Sequence, residues 1–294
     1  MTFITTCKNR LSHIQETMPL LVAEATNEEI IFVDYGCSQG SGDWVREHYP
    51  KVKVFLVNDD PKFCAARARN MGASVANTPW LFFIDGDIKV KPGFVKWIKK
   101  NAKKDFYYRA AKSENDIQDK ETWGSCLCMR NDHKSIDGYD EAFRGWGGED
   151  DDLYARLSLI GINQNFYPSS FVEAISHDDE LRLQGYYLKE KSYHLLVNQT
   201  YSAIKLALMR NMHTNKFTNK LEKQLDFSTR NSLMANVNSK IKYWIENADS
   251  SPPYFRSSIN INQWVPDGYS LVQKCDFTFS LDEKPTEIDL DVAS

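Results

Sequence analysis

What this chain lacks narrows it first. No run of apolar residues reaches the ~18 that a membrane-spanning helix needs, and the opening residues Met1-Thr2-Phe3-Ile4-Thr5 read directly as a strand rather than as a leader. No charge sign dominates: 36 Lys and Arg against 40 Asp and Glu give a formal net charge of -4, so there is no global basic field to attract nucleic acid. The six cysteines, Cys7, Cys37, Cys64, Cys126, Cys128 and Cys275, have neither the Cys-x-x-Cys spacing of a zinc site nor the density of a disulfide scaffold. They read as buried free thiols in a reducing compartment, and the expectation is a cytoplasmic protein. Internal repeats and long low-complexity tracts are absent as well.

What is there is an alternation. Apolar runs of strand length occur at residues 2 to 5, 30 to 33, 52 to 57 and 80 to 84, separated by helical stretches near 10 to 25, 42 to 48 and 62 to 76. Short buried runs alternating with helices predict a doubly wound α/β sheet, with ligands beyond the carboxyl ends of its strands. The residues at those ends are Lys8-Asn9-Arg10, Asp34-Tyr35-Gly36 and Asp85-Gly86-Asp87. Further strands are expected at 105 to 110, 125 to 129 and 171 to 177, with a helix over 149 to 160 closed by Gly161. Residues 186 to 211 and 218 to 247 read as two helices around a polar Thr214-Asn215-Lys216 turn. Short β-like pieces and an acidic tail follow. The expected division is therefore a catalytic domain over 1 to 180 and a mainly helical region with short β pieces over 181 to 294.

Four stretches carry chemistry. Asp85-Gly86-Asp87 holds two carboxylates across a glycine at the end of an apolar strand, which suits Mg²⁺ or Mn²⁺, although Asp-Gly is equally a hairpin turn between Phe82-Phe83-Ile84 and Ile88-Lys89-Val90. Gly145-Trp146-Gly147-Gly148 runs straight into Glu149-Asp150-Asp151-Asp152 at a helix start. Acids there complement the helix dipole, but a fourth adds little and like charges repel, so one of them is a candidate general base beside an aromatic surface for a sugar. His177 ends a strand beside Asp178-Asp179, either as a hydrogen-bonded structural residue or as a nitrogen ligand that with Asp87 favours Mn²⁺. Lys8, Arg10, Arg67 and Arg69 offer phosphate contacts or solvated cations. The basic stretch Lys96 to Lys104 suits either an anionic membrane surface or an ordinary exposed face with a buried Trp97.

Together these stretches resemble the nucleotide-sugar glycosyltransferases of GT-A fold. Gly145 to Leu157 (GWGGEDDDLYARL) is similar to the carboxyl-terminal motif of the inverting β-1,4-galactosyltransferases, and the earlier segments resemble family-two enzymes. The resemblance covers residues 1 to 180. It implies donor contacts from Lys8, Arg10, Asp34, Phe63, Arg69 and Asp85, the last being the first acid of a DxD motif. It implies metal ligation by Asp87 and His177, proton abstraction by Asp150, and acceptor contacts from Trp146, Gly148 and Glu149, with Trp123 as a second wall. Ala174 and Ala65 stand where those relatives carry a methionine ligand and an arginine.

The activity implied is inverting transfer of a hexosyl group from a UDP-sugar to a glycan or lipid-linked saccharide, with Mn²⁺ or Mg²⁺, in surface polysaccharide or glycoconjugate synthesis. The Gly145 to Gly148 turn is the hinge candidate. Two alternatives are a nucleotidyltransferase, disfavoured because Thr5 to Arg10 contains no glycine, and a sugar-binding protein that keeps the fold without activity.

Overall fold

A computed structural model describes residues 1–112, 120–176, 191–213, 227–247, 250–265 and 269–281. The chain forms two compact units: Met1–Glu141 with Glu149–Lys189, and Ala142–Gly148 with Glu190–Ser294.

The first unit is built on a seven-stranded sheet. In chain order its elements are β1 (Thr2–Cys7), α1 (Leu11–Glu24), β2 (Glu29–Asp34), α2 (Ser41–His48), β3 (Lys53–Leu56), α3 (Ala65–Val75) and β4 (Trp80–Asp85). There follow β5 (Ile88–Val90), α4 (Phe94–Asn101), β6 (Phe106–Ala110), β7 (Cys126–Met129), α5 (Arg130–Ser135), α6 (Glu149–Leu159), β8 (Asn163–Tyr167) and β9 (Val172–Ala174). The sheet order is β3-β2-β1-β4-β7-β6-β8, and only β7 runs against its neighbours. The α/β expectation is met, and the mostly parallel sheet with helices on both faces is the GT-A arrangement.

Period-two alternation explains the two faces. Phe3, Phe32 and Phe82 point to one side and join Ile14, Met18 and Leu21 of α1 and Phe94 of α4. Ile4, Ile31, Val33, Leu81 and Phe83 point to the other and join the alanines of α3 and Leu153 and Leu157 of α6. Each fully buried Phe or Leu contributes about 1.5–3 kcal/mol relative to exposure. The small residues of α3 have a packing reason: a Cβ at Gly72 would lie 2.4 Å from Ile4 Cγ2, so the helix lies closer to the sheet than any side chain there would permit.

Register brings the strand ends level. Thr6 stands opposite Asp85 and Cys7 opposite Asp34, so the residues after β1, β2 and β4 share one lip. The hairpin alternative for Asp85-Gly86-Asp87 does not hold, because β5 leaves the main sheet and pairs antiparallel with β9 instead. Gly86 is required by a close approach: a Cβ there would come within 2.9 Å of both Thr6 O and Ile14 Cδ1.

The second unit contains α7 (Lys191–His213), α8 (Phe227–Glu246) and the strands β10 (Tyr254–Val265) and β11 (Tyr269–Ser280). The strands form one antiparallel hairpin in register from Tyr254 opposite Ser280 to Val265 opposite Tyr269, longer than the short β pieces expected. Tyr193 of α7 donates to Asn238 Oδ1 of α8 at 2.7 Å. The Thr214-Asn215-Lys216 turn and the acidic tail lie outside the described residues. No described helix is long and apolar enough to cross a membrane. In the basic stretch, α4 packs Trp97 edge-on against Tyr108 at 6.1 Å, and Lys99 pairs with Glu28.

Candidate active site

The centre of the lip is a buried arginine among carboxylates. Arg69, on α3 and 3% exposed, donates from Nη2 to Asp85 Oδ1 at 2.8 Å and from Nη1 to Asp150 Oδ1 at 3.0 Å and Glu149 Oε1 at 3.2 Å. Its guanidinium also lies 5.1 Å from the Tyr139 ring centre. Burial works against its charge, but the surrounding carboxylates outweigh burial and hold the guanidinium protonated.

The acids respond in the opposite sense. Burial is the largest cause raising Asp150, with Glu149, Asp85 and Asp151 adding and Arg69 opposing, and its pKa reaches about 8. Burial raises Glu149 too, again against Arg69. A carboxylate titrating near neutrality, held rigidly at the first turn of α6, has the properties of a general base.

Gly124 completes the arrangement. A Cβ there would lie 2.9 Å from Arg69 Nη2, 3.0 Å from Asp150 Oδ2 and 3.1 Å from Asp85 Oδ2, so only glycine leaves this space open. Neither of these two carboxylate oxygens makes a hydrogen bond among the described residues. The open point is therefore flanked by two hard oxygens of the type that divalent cations take.

The other expected residues fall as follows. Arg10 pairs with Asp87 Oδ2 at 2.8 Å, and the Ile175 N–H donates to Asp87 O at 2.8 Å, tying the loop after β4 to the strand that leads toward His177. His177 itself lies outside the described residues, and no three His, Cys, Asp or Glu side chains among the described residues form a ready metal cage. Of the expected set the described residues supply Asp87, a hard oxygen donor of the type Mn²⁺ or Mg²⁺ takes, which here pairs with Arg10.

Asp34 accepts from Cys37 N at 2.7 Å and Gly42 N at 2.9 Å, so both of its oxygens shape the loop from β2 into α2. Burial raises its pKa against those two bonds. Lys8 donates to Tyr35 O at 3.1 Å, and Phe63 meets Tyr35 edge-on at 5.4 Å, so these two converge around one ring. Arg67, a free cation in the sequence, is paired with Asp59 at 2.7 Å and Asp60 at 3.5 Å.

Trp123 is held on three sides: Nε1 donates to Asp151 Oδ1 at 2.8 Å, its carbonyl accepts from Tyr154 at 2.8 Å, and Arg109 lies 3.3 Å from its ring centre. Asp151 thereby gains a role as Trp123's partner. Asp152 pairs with Arg156 at 2.8 Å, and Arg156 in turn donates to Ile136 O and Gly138 O, so this acid anchors α6 to the preceding loop.

Trp146 and Gly148 belong to the second unit. There the Trp146 N–H donates to His194 Nδ1 at 3.0 Å, Asn198 donates to Gly147 O at 2.7 Å, and Lys191 Nζ lies 4.3 Å from the Trp146 ring centre. Gly145, Gly147 and Gly148 have φ of 97°, 81° and 94°. A Cβ at Gly145 would lie 1.7 Å from His194 Nδ1, so this turn admits only glycine there. The hinge candidate is thus bonded to α7.

Sequence reading missed two features of the lip. Cys37 and Cys7 converge on Ser41 Oγ at 2.9 and 3.5 Å, and the hydrogen bond from Cys7 is the main cause lowering the Cys37 thiol to about 4. Arg109 is the other, and its one signal was a lone cation inside the aromatic strand Phe106-Tyr107-Tyr108-Arg109-Ala110.

A family model described as the N-terminal domain of galactosyltransferase matches residues 104–178, which include β6, α6 and the acids of its first turn. The mannosyltransferase PcManGT of Pyrobaculum calidifontis, solved with GDP-Man and Mn²⁺, shares 15% identity over 83% of this chain and 75% of its own, with a TM-score of 0.51. TarS residues 1-349 of S. aureus, solved with UDP-GlcNAc, shares 12% identity over 80% of this chain and 70% of its own, with a TM-score of 0.56. At these identities the likeness establishes a shared fold.

Proposed function

We propose that the chain is an inverting, metal-dependent glycosyltransferase that moves a hexosyl group, of galactose or N-acetylhexosamine type, from a UDP-sugar to a glycan or lipid-linked saccharide hydroxyl. Surface polysaccharide or glycoconjugate synthesis is the setting this reading implies. The observation that carries it is the Arg69 cluster at the strand-end lip of a GT-A sheet, where a partly buried carboxylate, Asp150, is bonded to Arg69 and is raised to about 8 by desolvation and its neighbouring acids. The match of residues 104–178 to a galactosyltransferase model and the nucleotide sugars held by both structural neighbours support it.

In this reading the donor lies over β1 and β2, where Lys8, Arg10, Asp34 and Phe63 cluster and Asp85 closes the lip. Asp87, with His177 as the resemblance implies, would hold Mn²⁺ or Mg²⁺, which would supply positive charge for the departing diphosphate. Asp150 takes the acceptor hydroxyl proton as that oxygen attacks the anomeric carbon and the bond to the diphosphate breaks. Glu149 accepts from a neighbouring acceptor hydroxyl. Arg69 holds Asp150 and Asp85 in place through their Oδ1 atoms, which makes it a positioning residue in this reading.

The test is nucleotide release from a panel of UDP-sugars and GDP-mannose in the presence of Mn²⁺. Metal-dependent release of UDP from one of them supports the reading, and absence of binding to every nucleotide sugar overturns it.

A further inference from the structure

Arg109 is a buried cation with no polar group to hold among the described residues. It is 5% exposed, yet among the described residues it makes no hydrogen bond and no ion pair, and its Nε is sealed from solvent without a partner. Native interiors rarely leave such a group unsatisfied, because an uncompensated buried charge costs far more than a neutral one. What holds it is aromatic: its guanidinium carbon lies 3.3 Å from the Trp123 ring centre and 4.4 Å from that of Tyr154. Tyr154 in turn stacks on Tyr107 at 5.3 Å with an interplanar angle of 3°. Clamped between two rings, the planar fork is fixed in orientation. Only Nε is both closed off and unpaired, so the terminal amino edge carries the side chain's remaining exposure.

Position says which ligand that edge serves. Both β4 and β6 run antiparallel to β7, so Arg109 reaches the same end of the sheet as Asp85. The dipeptide Trp123-Gly124 bridges the two places, with Trp123 on Arg109 and Gly124 beside Asp85 and Asp150. In the sheet order, however, β6 lies beyond β7 from β4, whereas the donor residues Lys8 and Asp34 follow β1 and β2 on the opposite side.

We propose that Arg109 receives an oxyanion, carboxylate or phosphate, carried by the acceptor, and that the acceptor is therefore an acidic saccharide. This rests on the glycosyltransferase reading for the word acceptor, while the anion site stands on its own geometry. A rigid guanidinium matches either oxyanion through two parallel hydrogen bonds.

The experiment titrates the full chain, without donor, with D-glucuronate, glucose 6-phosphate and glucose, following Trp fluorescence and calorimetry, and repeats this with R109Q and R109K. UDP binding is measured in parallel. The expected result is at least a tenfold preference for one anionic sugar over glucose, lost in R109Q and partly kept in R109K, with UDP affinity unchanged. A preference for glucuronate alone assigns the carboxylate, and one for glucose 6-phosphate alone assigns the phosphate.

Three outcomes overturn the proposal: no anionic preference in the native chain, a preference that survives both substitutions, or a matching loss of UDP affinity, which would put the oxyanion on the donor. If R109Q does not fold, as judged by circular dichroism, R109K and the native preference decide. Failure of every nucleotide sugar to bind would sink the transferase reading and leave the anion measurement intact.

Discussion

Two arginines of the first unit are buried at the same end of the same sheet and live in opposite surroundings. Arg69 reaches three carboxylates within 3.2 Å, while Arg109 reaches none among the described residues and is held between Trp123 and Tyr154. The first is saturated and serves the protein's own acids. The second is unpaired among the described residues, as a site proposed for an incoming oxyanion would be. Burial alone therefore does not separate a structural cation from a receptive one, and the partner list does.

Replacing each arginine by methionine tests this contrast at its strongest. Arg69→Met leaves Asp85, Glu149 and Asp150 without their cation, and denaturant unfolding is expected to show a loss of about 3–5 kcal/mol, as for a broken buried ion pair. Arg109→Met loses ring stacking of about 0.5–2 kcal/mol but also relieves an unpaired charge, so its net cost is expected to be well below that of Arg69→Met. Equal losses would mean that Arg109 has ionic partners of its own.

The acids beside Arg69 give a pH test. Asp150 is raised in the folded protein, to about 8, above its unfolded value, so the fold binds its proton more tightly than the unfolded chain does. The stability tied to that proton is complete below about pH 4 and is lost as pH rises toward 8. In metal-free thermal melts Asp150→Asn is expected to gain on the native chain progressively across that window. A constant gap from pH 4 to 8 would contradict the raised value. A smaller effect is expected from Tyr154→Phe, which removes the hydrogen bond to Trp123 O and should cost about 0.5–1.5 kcal/mol in the same unfolding assay.

The parts of this arrangement differ in how visible they were before the structure. Strands β1, β2 and β4 are buried on both faces and so appear as continuous apolar runs. Strand β8, Asn163-Gln164-Asn165-Phe166-Tyr167, was missed because it is the sheet edge and buries only Tyr167, leaving polar residues to dominate its composition. The long β10–β11 hairpin was read as short pieces because Ser, Asn and Gln interrupt its alternation. Asp85, Glu149, Asp150 and Arg69 were each legible as chemistry-bearing residues, but their convergence was not, since Arg69 and Asp150 are 81 residues apart and nothing local encodes the contact. Arg109 was overlooked for the converse reason. Its meaning lies in the polar partners it lacks among the described residues, and absence of a partner has no sequence signature.

Asp150, as the group that takes the acceptor proton, is the centre of the proposed chemistry. The direct measurement is Mn²⁺-dependent nucleotide release from the UDP-sugar that the chain binds, with and without a saccharide acceptor, for the native chain and Asp150→Asn. The prediction is a fall of about 10²- to 10⁴-fold in acceptor-dependent release with UDP-sugar affinity retained, as for loss of a general base. Full acceptor-dependent release by Asp150→Asn would contradict it.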